Sequence, residues 1–274
     1  MSDGANRLEA RLAALRESGA RGVAPYVTAG DGGLETTLCV LRALDGAGAL
    51  CVELGVPFSD PIADGPVLQA AAQRALAAGA TLDGVLDVVR ELRAGGSELP
   101  LAIFSYANPL LRRGWEGAAR AIAGAGGDAL LVPDLPAEEG GGMRAAALEH
   151  GLCPIFFVAP TSSGARVRAA AAMSRGFLYA IGRVGTTGAE TRLDDDALAF
   201  LRRVRAACEL PLAVGFGLRT AEQIAAVTAE AELAIVGSAL VERVHAAFSH
   251  AHDPGQAAAA AAEYLSELRR GTQP

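Results

Sequence analysis

Glu53, Asp60 and Asp64 stand close together in residues 51–69, Cys-Val-Glu-Leu-Gly-Val-Pro-Phe-Ser-Asp-Pro-Ile-Ala-Asp-Gly-Pro-Val-Leu-Gln. The run Ala49-Leu50-Cys51-Val52 is apolar and strand-like, and Glu53 follows it before a loop punctuated by Gly55, Pro57, Pro61, Gly65 and Pro66. A carboxylate at the end of a buried strand is costly unless something uses it. Glu53 and Asp64 are therefore candidates for acid/base chemistry. The structural alternatives are an arginine-paired Glu53 and turn-forming aspartates. For Asp60 the turn reading stands level with any other, whereas an apolar strand delivers Glu53 to a definite place.

The chain contains no lysine; all 24 of its Lys+Arg residues are arginine. An imine mechanism needs a lysine amine, so covalent Schiff-base chemistry and pyridoxal phosphate held on this chain are both excluded. Carbon–carbon chemistry here would have to move its protons on carboxylates. A second signal is glycine-rich: Gly185-Thr-Thr-Gly188, Gly215-Phe-Gly217 and Gly237-Ser238. Glycine lets backbone N–H groups close on an anion, and a helix N-terminus adds favourable potential. Any one of these could be an ordinary tight turn.

The elements that must position these residues alternate along the chain. A short amphipathic helix is predicted over residues 5–17, with Leu8, Leu12 and Leu15 on one face. Apolar strands are then predicted at 22–28, 49–53, 99–105, 129–132, 153–158, 176–181, 211–214 and 233–236. Helices follow them at 33–47, 67–76 with 82–92, 115–125, 138–150, 165–173, 194–208, 221–229 and from 238 to about 269, and Thr81 is the expected N-cap of the helix from Leu82. Continuously apolar strands alternating with helices mean a parallel sheet covered by helices. Eight such units and no second domain predict a single-domain (β/α)8 barrel over residues 1–274, with residues 1–20 as an extra helix covering the barrel base. An open doubly wound sheet is the competing reading, weakened because no Gly-x-Gly-x-x-Gly follows the first strand.

In a barrel the C-terminal ends of the strands share one face. Thr28, Glu53, Tyr106, Asp134, Thr161, Arg183, Gly217 and Ser238 all stand at or just beyond such ends, so they converge. The three glycine segments follow strands six, seven and eight, where barrels commonly bind phosphate, and together they point to a phosphorylated substrate.

Composition bounds the rest. With 51% hydrophobic residues a large core can be buried, and a net charge of −7 with a pI near 5.2 argues against nucleic acid or an anionic membrane as partner. No apolar run reaches the ~18 residues of a membrane span, and the charged N-terminus lacks a signal core, so a cytoplasmic location is expected. Cys39, Cys51, Cys153 and Cys208 are widely spaced and read as reduced core thiols. His150, His245, His250 and His252 suggest no metal site, and His250 and His252 are expected beside a loop at Asp253-Pro254-Gly255.

The run Glu53-Leu-Gly-Val-Pro-Phe-Ser-Asp-Pro-Ile-Ala-Asp-Gly-Pro closely resembles the signature of the tryptophan synthase α subunit family. The resemblance extends nearly end to end, through Pro25-Tyr-Val-Thr-Ala-Gly-Asp31, Tyr106-Ala-Asn108, Val132-Pro-Asp-Leu-Pro-Ala-Glu-Glu139 and the three glycine segments. It implies retro-aldol cleavage of indole-3-glycerol phosphate to indole and glyceraldehyde 3-phosphate, without imine or metal. By matching positions, Glu53 would be the general acid/base, Asp64 would bind the indole N–H, and Tyr179 would stand beside the catalytic glutamate. Tyr26, Leu68, Tyr106 and Phe216 would line the indole pocket. Gly188, Gly217, Gly237 and Ser238 would hold the phosphate, and the loop 182–192, with Arg183 and Thr187, would close over substrate.

The resemblance also implies a partner: a β subunit that carries pyridoxal phosphate, receives indole through a tunnel and completes an α2β2 complex. Pro57, Asp60, Asn108, Asp134 and Pro136 match positions that face it. This sequence departs from the family pattern at Thr186, at Gly182, at Gly32 and over residues 229–235, and none of these removes a proposed catalytic group. The alternatives are a stand-alone lyase that releases free indole, a partner-regulating barrel with weak activity, and a different sugar-phosphate isomerase barrel.

Overall fold

Each predicted strand forms in the computed structural model, which describes residues 6–182 and 195–272. The strands are β1 (Gly22–Thr28), β2 (Val52–Gly55), β3 (Leu101–Phe104), β4 (Ala129–Leu131), β5 (Cys153–Ile155), β6 (Phe157–Val158), β7 (Leu178–Ile181), β8 (Leu212–Gly215) and β9 (Leu233–Val236). All pair in parallel, in the order β5-β4-β3-β2-β1-β9-β8-β7-β6. Since β5 runs straight on into β6, the sheet closes on itself as a (β/α)8 barrel in which the fifth strand is counted twice.

That division corrects the single strand expected over 153–158. The Phe156 N–H donates to Ser174 Oγ at 3.1 Å instead of to a neighbouring strand, and its carbonyl accepts from Tyr179. One residue leaves the ladder there, and the strand changes neighbour.

The helices are α1 (Arg7–Ser18), α2 (Leu34–Gly46), α3 (Pro66–Ala77), α4 (Leu82–Ala94), α5 (Ala107–Leu111), α6 (Gly114–Ala125), α7 (Gly141–Glu149), α8 (Gly164–Met173), α9 (Asp195–Ala207), α10 (Ala221–Thr228), α11 (Ser238–Ala251) and α12 (Pro254–Arg269). Thr81 caps α4 by accepting from the Gly84 N–H. Asn108, expected in a loop, lies in α5, whose first N–H (Ala107) is held by Asp134 Oδ1 at 2.9 Å. The C-terminal helix breaks in two: His252 adopts the left-handed conformation (φ 49°), and Asp253 caps α12 through the Gly255 N–H. Pro254 and Gly255 thus begin a helix instead of forming a loop.

Helix α1 packs its leucine face against residues of the barrel strands. Leu8, Leu12 and Leu15 are buried in one cluster with Ala24, Cys51, Ala102, Phe177 and Ala213 of the barrel interior. Each buried leucine contributes about 1.5–3 kcal/mol. Arg7 reaches the buried Asp128, Glu9 pairs with Arg175 through both carboxylate oxygens, and Asn6 Nδ2 donates to the carbonyls of Asp128 and Gly151.

Candidate active site

Glu53 lies inside β2 and not at its end, in register with Tyr26 of β1 and Ala102 of β3. The apolar run continues through Leu54, so the strand starts and finishes later than its sequence suggests, and the glutamate enters the barrel from its wall. It is 1% exposed. Tyr179 of β7 donates to Glu53 Oε2 at 3.4 Å, and Glu53 Oε1 has no hydrogen-bond partner among the described residues. Burial disfavours the charged form and pushes the Glu53 carboxyl up to about 8, against the small downward pull of the Tyr179 hydrogen bond.

Above Glu53 opens a cavity of about 620 Å³. Its walls include Glu53, Asp64, Tyr26, Tyr179, Leu68 and Phe216, and its far rim is made by Gly217, Gly237 and Ser238. Ser238 begins α11, so the N-terminus of a long helix opens towards the cavity rim. The structure therefore brings together nine of the residues singled out from the sequence. Arg183, Thr187 and Gly188 lie outside the described residues.

Asp64 sits where the loop from β2 turns into α3. Its N–H donates to the Pro61 carbonyl at 3.0 Å, and its own carbonyl accepts from Gln69 Nε2 at 2.8 Å. Partial burial raises its carboxyl to about 6, and a hydrogen bond from Tyr106 opposes the rise. At neutral pH Glu53 is thus mostly neutral and Asp64 mostly ionised. One cavity holds a carboxylic acid and a carboxylate.

Aromatic rings make the lower wall. Tyr26 meets Phe104 edge-on (centroids 5.5 Å apart), Phe104 meets Phe157 at 6.1 Å, and Phe157 lies 4.9 Å from Tyr179. Phe104 and Phe157 were not anticipated from the sequence. The signal that finds them is register: Phe157 pairs with Tyr179, and Phe104 with Gly55, two residues beyond Glu53. The tyrosines fit only because their neighbours are glycines. A β-carbon at Gly55 would fall on the Tyr26 hydroxyl, and one at Gly215 would come within 2.7 Å of the Tyr179 hydroxyl. Burial, followed by the nearby Asp64 charge for Tyr26 and the Glu53 charge for Tyr179, raises both phenols, so both stay protonated donors.

Two predicted positions land elsewhere. Tyr106, expected in the indole pocket, does not line the cavity; it lies behind the Asp64 loop with its hydroxyl accepting the Ala63 N–H at 3.0 Å. It stands two residues beyond β3, whose last residue, Phe104, already fills that wall. Pro57, expected to face a partner, is buried, whereas Asp60, Asn108, Asp134 and Pro136 are exposed on the same rim. Pro57 directly follows Val56, whose N–H still bonds the Phe104 carbonyl, so the chain has not yet left the barrel there.

Among the described residues no group of three His, Cys, Asp or Glu side chains is placed to hold a metal ion. Also among them, no helix is long and apolar enough to cross a membrane.

Comparison with known proteins agrees across sequence and structure. The family model described as "Tryptophan synthase alpha chain" matches residues 12–273. A relative of that name from Alkalilimnicola ehrlichii is 46% identical over 265 residues, covering 97% of this chain and 96% of its own. The crystal structure of tryptophan synthase subunit alpha from Legionella pneumophila superposes with a TM-score of 0.88 at 34% identity, covering 98% of this chain and 99% of that one. A chain of the tryptophan synthase complex from Pyrococcus furiosus gives a TM-score of 0.81 at 32% identity, covering 91% and 98%.

Proposed function

The chain belongs to the tryptophan synthase alpha chain family, and we propose an assignment of its own residues to the reaction of that family. It is a lyase that cleaves indole-3-glycerol phosphate to indole and glyceraldehyde 3-phosphate. What supports the assignment is the opposite protonation of two carboxyl groups in one cavity, Glu53 at about 8 and Asp64 at about 6.

The substrate's indole ring lies against Tyr26, Phe104, Phe157 and Phe216, with its N–H towards Asp64. Protonated Glu53 gives its proton to the ring carbon that bears the side chain. The ring nitrogen becomes positively charged, and ionised Asp64 stabilises that charge across a hydrogen bond. Glu53, now a carboxylate, takes the proton from the hydroxyl on the adjacent side-chain carbon. The carbon–carbon bond breaks, its electron pair returns to the ring and quenches the iminium, and the hydroxyl carbon leaves as an aldehyde. One proton enters and one leaves, so Glu53 ends as it began. Tyr179 steadies Glu53 through the cycle by donating to Oε2. The phosphate is held at Gly217, Gly237 and Ser238, where the backbone N–H groups that open α11 have no helical partner.

Alpha chains of this family work with a beta subunit. We assign the docking surface to the exposed rim of Asp60, Asn108, Asp134 and Pro136, with pyridoxal phosphate confined to that partner and an α2β2 assembly as the product. The test is direct: the purified chain is mixed with indole-3-glycerol phosphate, and indole and glyceraldehyde 3-phosphate are measured with and without added beta subunit. Equimolar formation of both, accelerated by the beta subunit, is expected. No indole under either condition would overturn the assignment, and a rate indifferent to the beta subunit would favour a stand-alone lyase.

A further inference from the structure

Phe216 directly follows β8 and lines the cavity at 3% exposure. Its neighbour across the ladder is Gly182, which directly follows β7 and lines the same cavity. The two main chains are locked together. Ile181 pairs in register with Gly215, and the Gly182 N–H donates to the Gly215 carbonyl at 3.2 Å. Gly182 has no left-handed φ, so its backbone conformation does not demand glycine. Space does. A β-carbon at Gly182 would stand 2.7 Å from Phe216 Cε1, 3.1 Å from Cδ1 and 3.2 Å from Cζ, against the about 3.5–4.0 Å at which carbon atoms rest.

The ring has little freedom to give way into the protein. Phe200 of α9 stacks on it, with centroids 6.4 Å apart and planes 20° apart. Phe200 is itself 1% exposed, and the Arg203 guanidinium carbon lies 5.5 Å from its centroid. Close-packed interiors do not absorb a displaced ring, so the open space beside Phe216 is the cavity.

We propose that Gly182 is a positioning residue for Phe216: its missing side chain lets the Phe216 ring lie back against the end of β7, and this keeps the cavity wide enough for the substrate's bicyclic ring. This rests on the reading of the cavity as the indole site. The contact touches neither Glu53 nor Asp64, so its effect falls on the fit of the ring and not on proton transfer.

The test is a double-mutant cycle on the full chain with Gly182→Ala and Phe216→Leu, reading kcat and KM for indole-3-glycerol phosphate, with each fold checked by circular dichroism. In Gly182→Ala, KM is expected to rise about tenfold or more, the effect of a one-carbon misfit in an apolar pocket, while kcat changes by less than about threefold. Leucine lacks Cε1 and Cζ, so in the Phe216→Leu background the same substitution should alter KM by less than about twofold. An unchanged KM in Gly182→Ala would overturn the proposal. So would a rise of equal size in both backgrounds, which would show a glycine needed for its main chain and not for the ring. If Gly182→Ala alone failed to fold, recovery of the fold by Phe216→Leu would support the same contact, and failure in both backgrounds would overturn it. A wild type that formed no indole would overturn the reading of the cavity itself, and the proposal with it.

Discussion

Replacing Glu53 by glutamine is expected to stabilise the fold increasingly as pH rises. The glutamate is held in the barrel wall at 1% exposure, and burial lifts its carboxyl from an ordinary 4.5 to about 8. Between those two values the native state keeps a proton that the unfolded chain has released, so the native state binds more protons and wild-type stability falls with pH. The gap of about 3.5 (8 minus 4.5), at ~1.36 kcal/mol for each pH unit, comes to on the order of 5 kcal/mol. Glutamine does not titrate and escapes this loss. Urea unfolding of both proteins at half-unit steps from pH 5 to 9, followed by circular dichroism, isolates the effect, because every other titrating group is common to both. The difference in unfolding free energy should grow steadily in favour of Glu53→Gln up to about pH 8 and then level off. If it stayed constant to within ~1 kcal/mol across that span, Glu53 would have an ordinary carboxyl and the acid role assigned to it would fail.

Four further outcomes follow from the structure. The pH profile of kcat/KM is expected to be bell-shaped, with limbs near Asp64 at about 6 and Glu53 at about 8; Tyr179→Phe removes a bond that favours the Glu53 carboxylate, so steady-state rates should show its basic limb moved to higher pH. Ser238→Glu puts a negative charge at the start of α11, and initial-rate kinetics should show KM rising about tenfold or more with kcat less affected. Asp128, 2% exposed, accepts from Arg7 Nη1 and Arg93 Nη2 at 3.0 Å each and from the Leu101 N–H at 2.8 Å, so Asp128→Asn should cost about 3–5 kcal/mol in urea unfolding. A loss below ~1 kcal/mol would mean that the clamp between α1 and the barrel contributes little.

The barrel was legible because its strands are apolar on both faces and its helices have a regular period, signals that survive without tertiary information. What was not legible depended on neighbours distant in sequence. Phe156 leaves the ladder because Ser174, 18 residues away, takes its N–H. Asn108 is helical because Asp134 holds the N–H of Ala107, 27 residues earlier. The carboxylates of the site could be read from their sequence context, since a charge beside an apolar strand stands out. Phe104 and Phe157 could not, because an aromatic residue in an apolar strand looks like core until the register shows which face it lines. Tyr106 was placed in the pocket for the same reason in reverse: it stands at a strand end, but Phe104 already fills the wall and leaves it behind the loop.

The central claim is that Glu53 carries the proton through the cleavage. The most direct measurement is the rate of indole formation from saturating indole-3-glycerol phosphate by Glu53→Gln, with the fold verified by circular dichroism and with inorganic phosphate binding compared to wild type. Loss of general acid/base catalysis predicts a fall of about 10²–10⁴-fold with the phosphate grip unchanged. A variant that released indole within threefold of the wild-type rate would contradict the account.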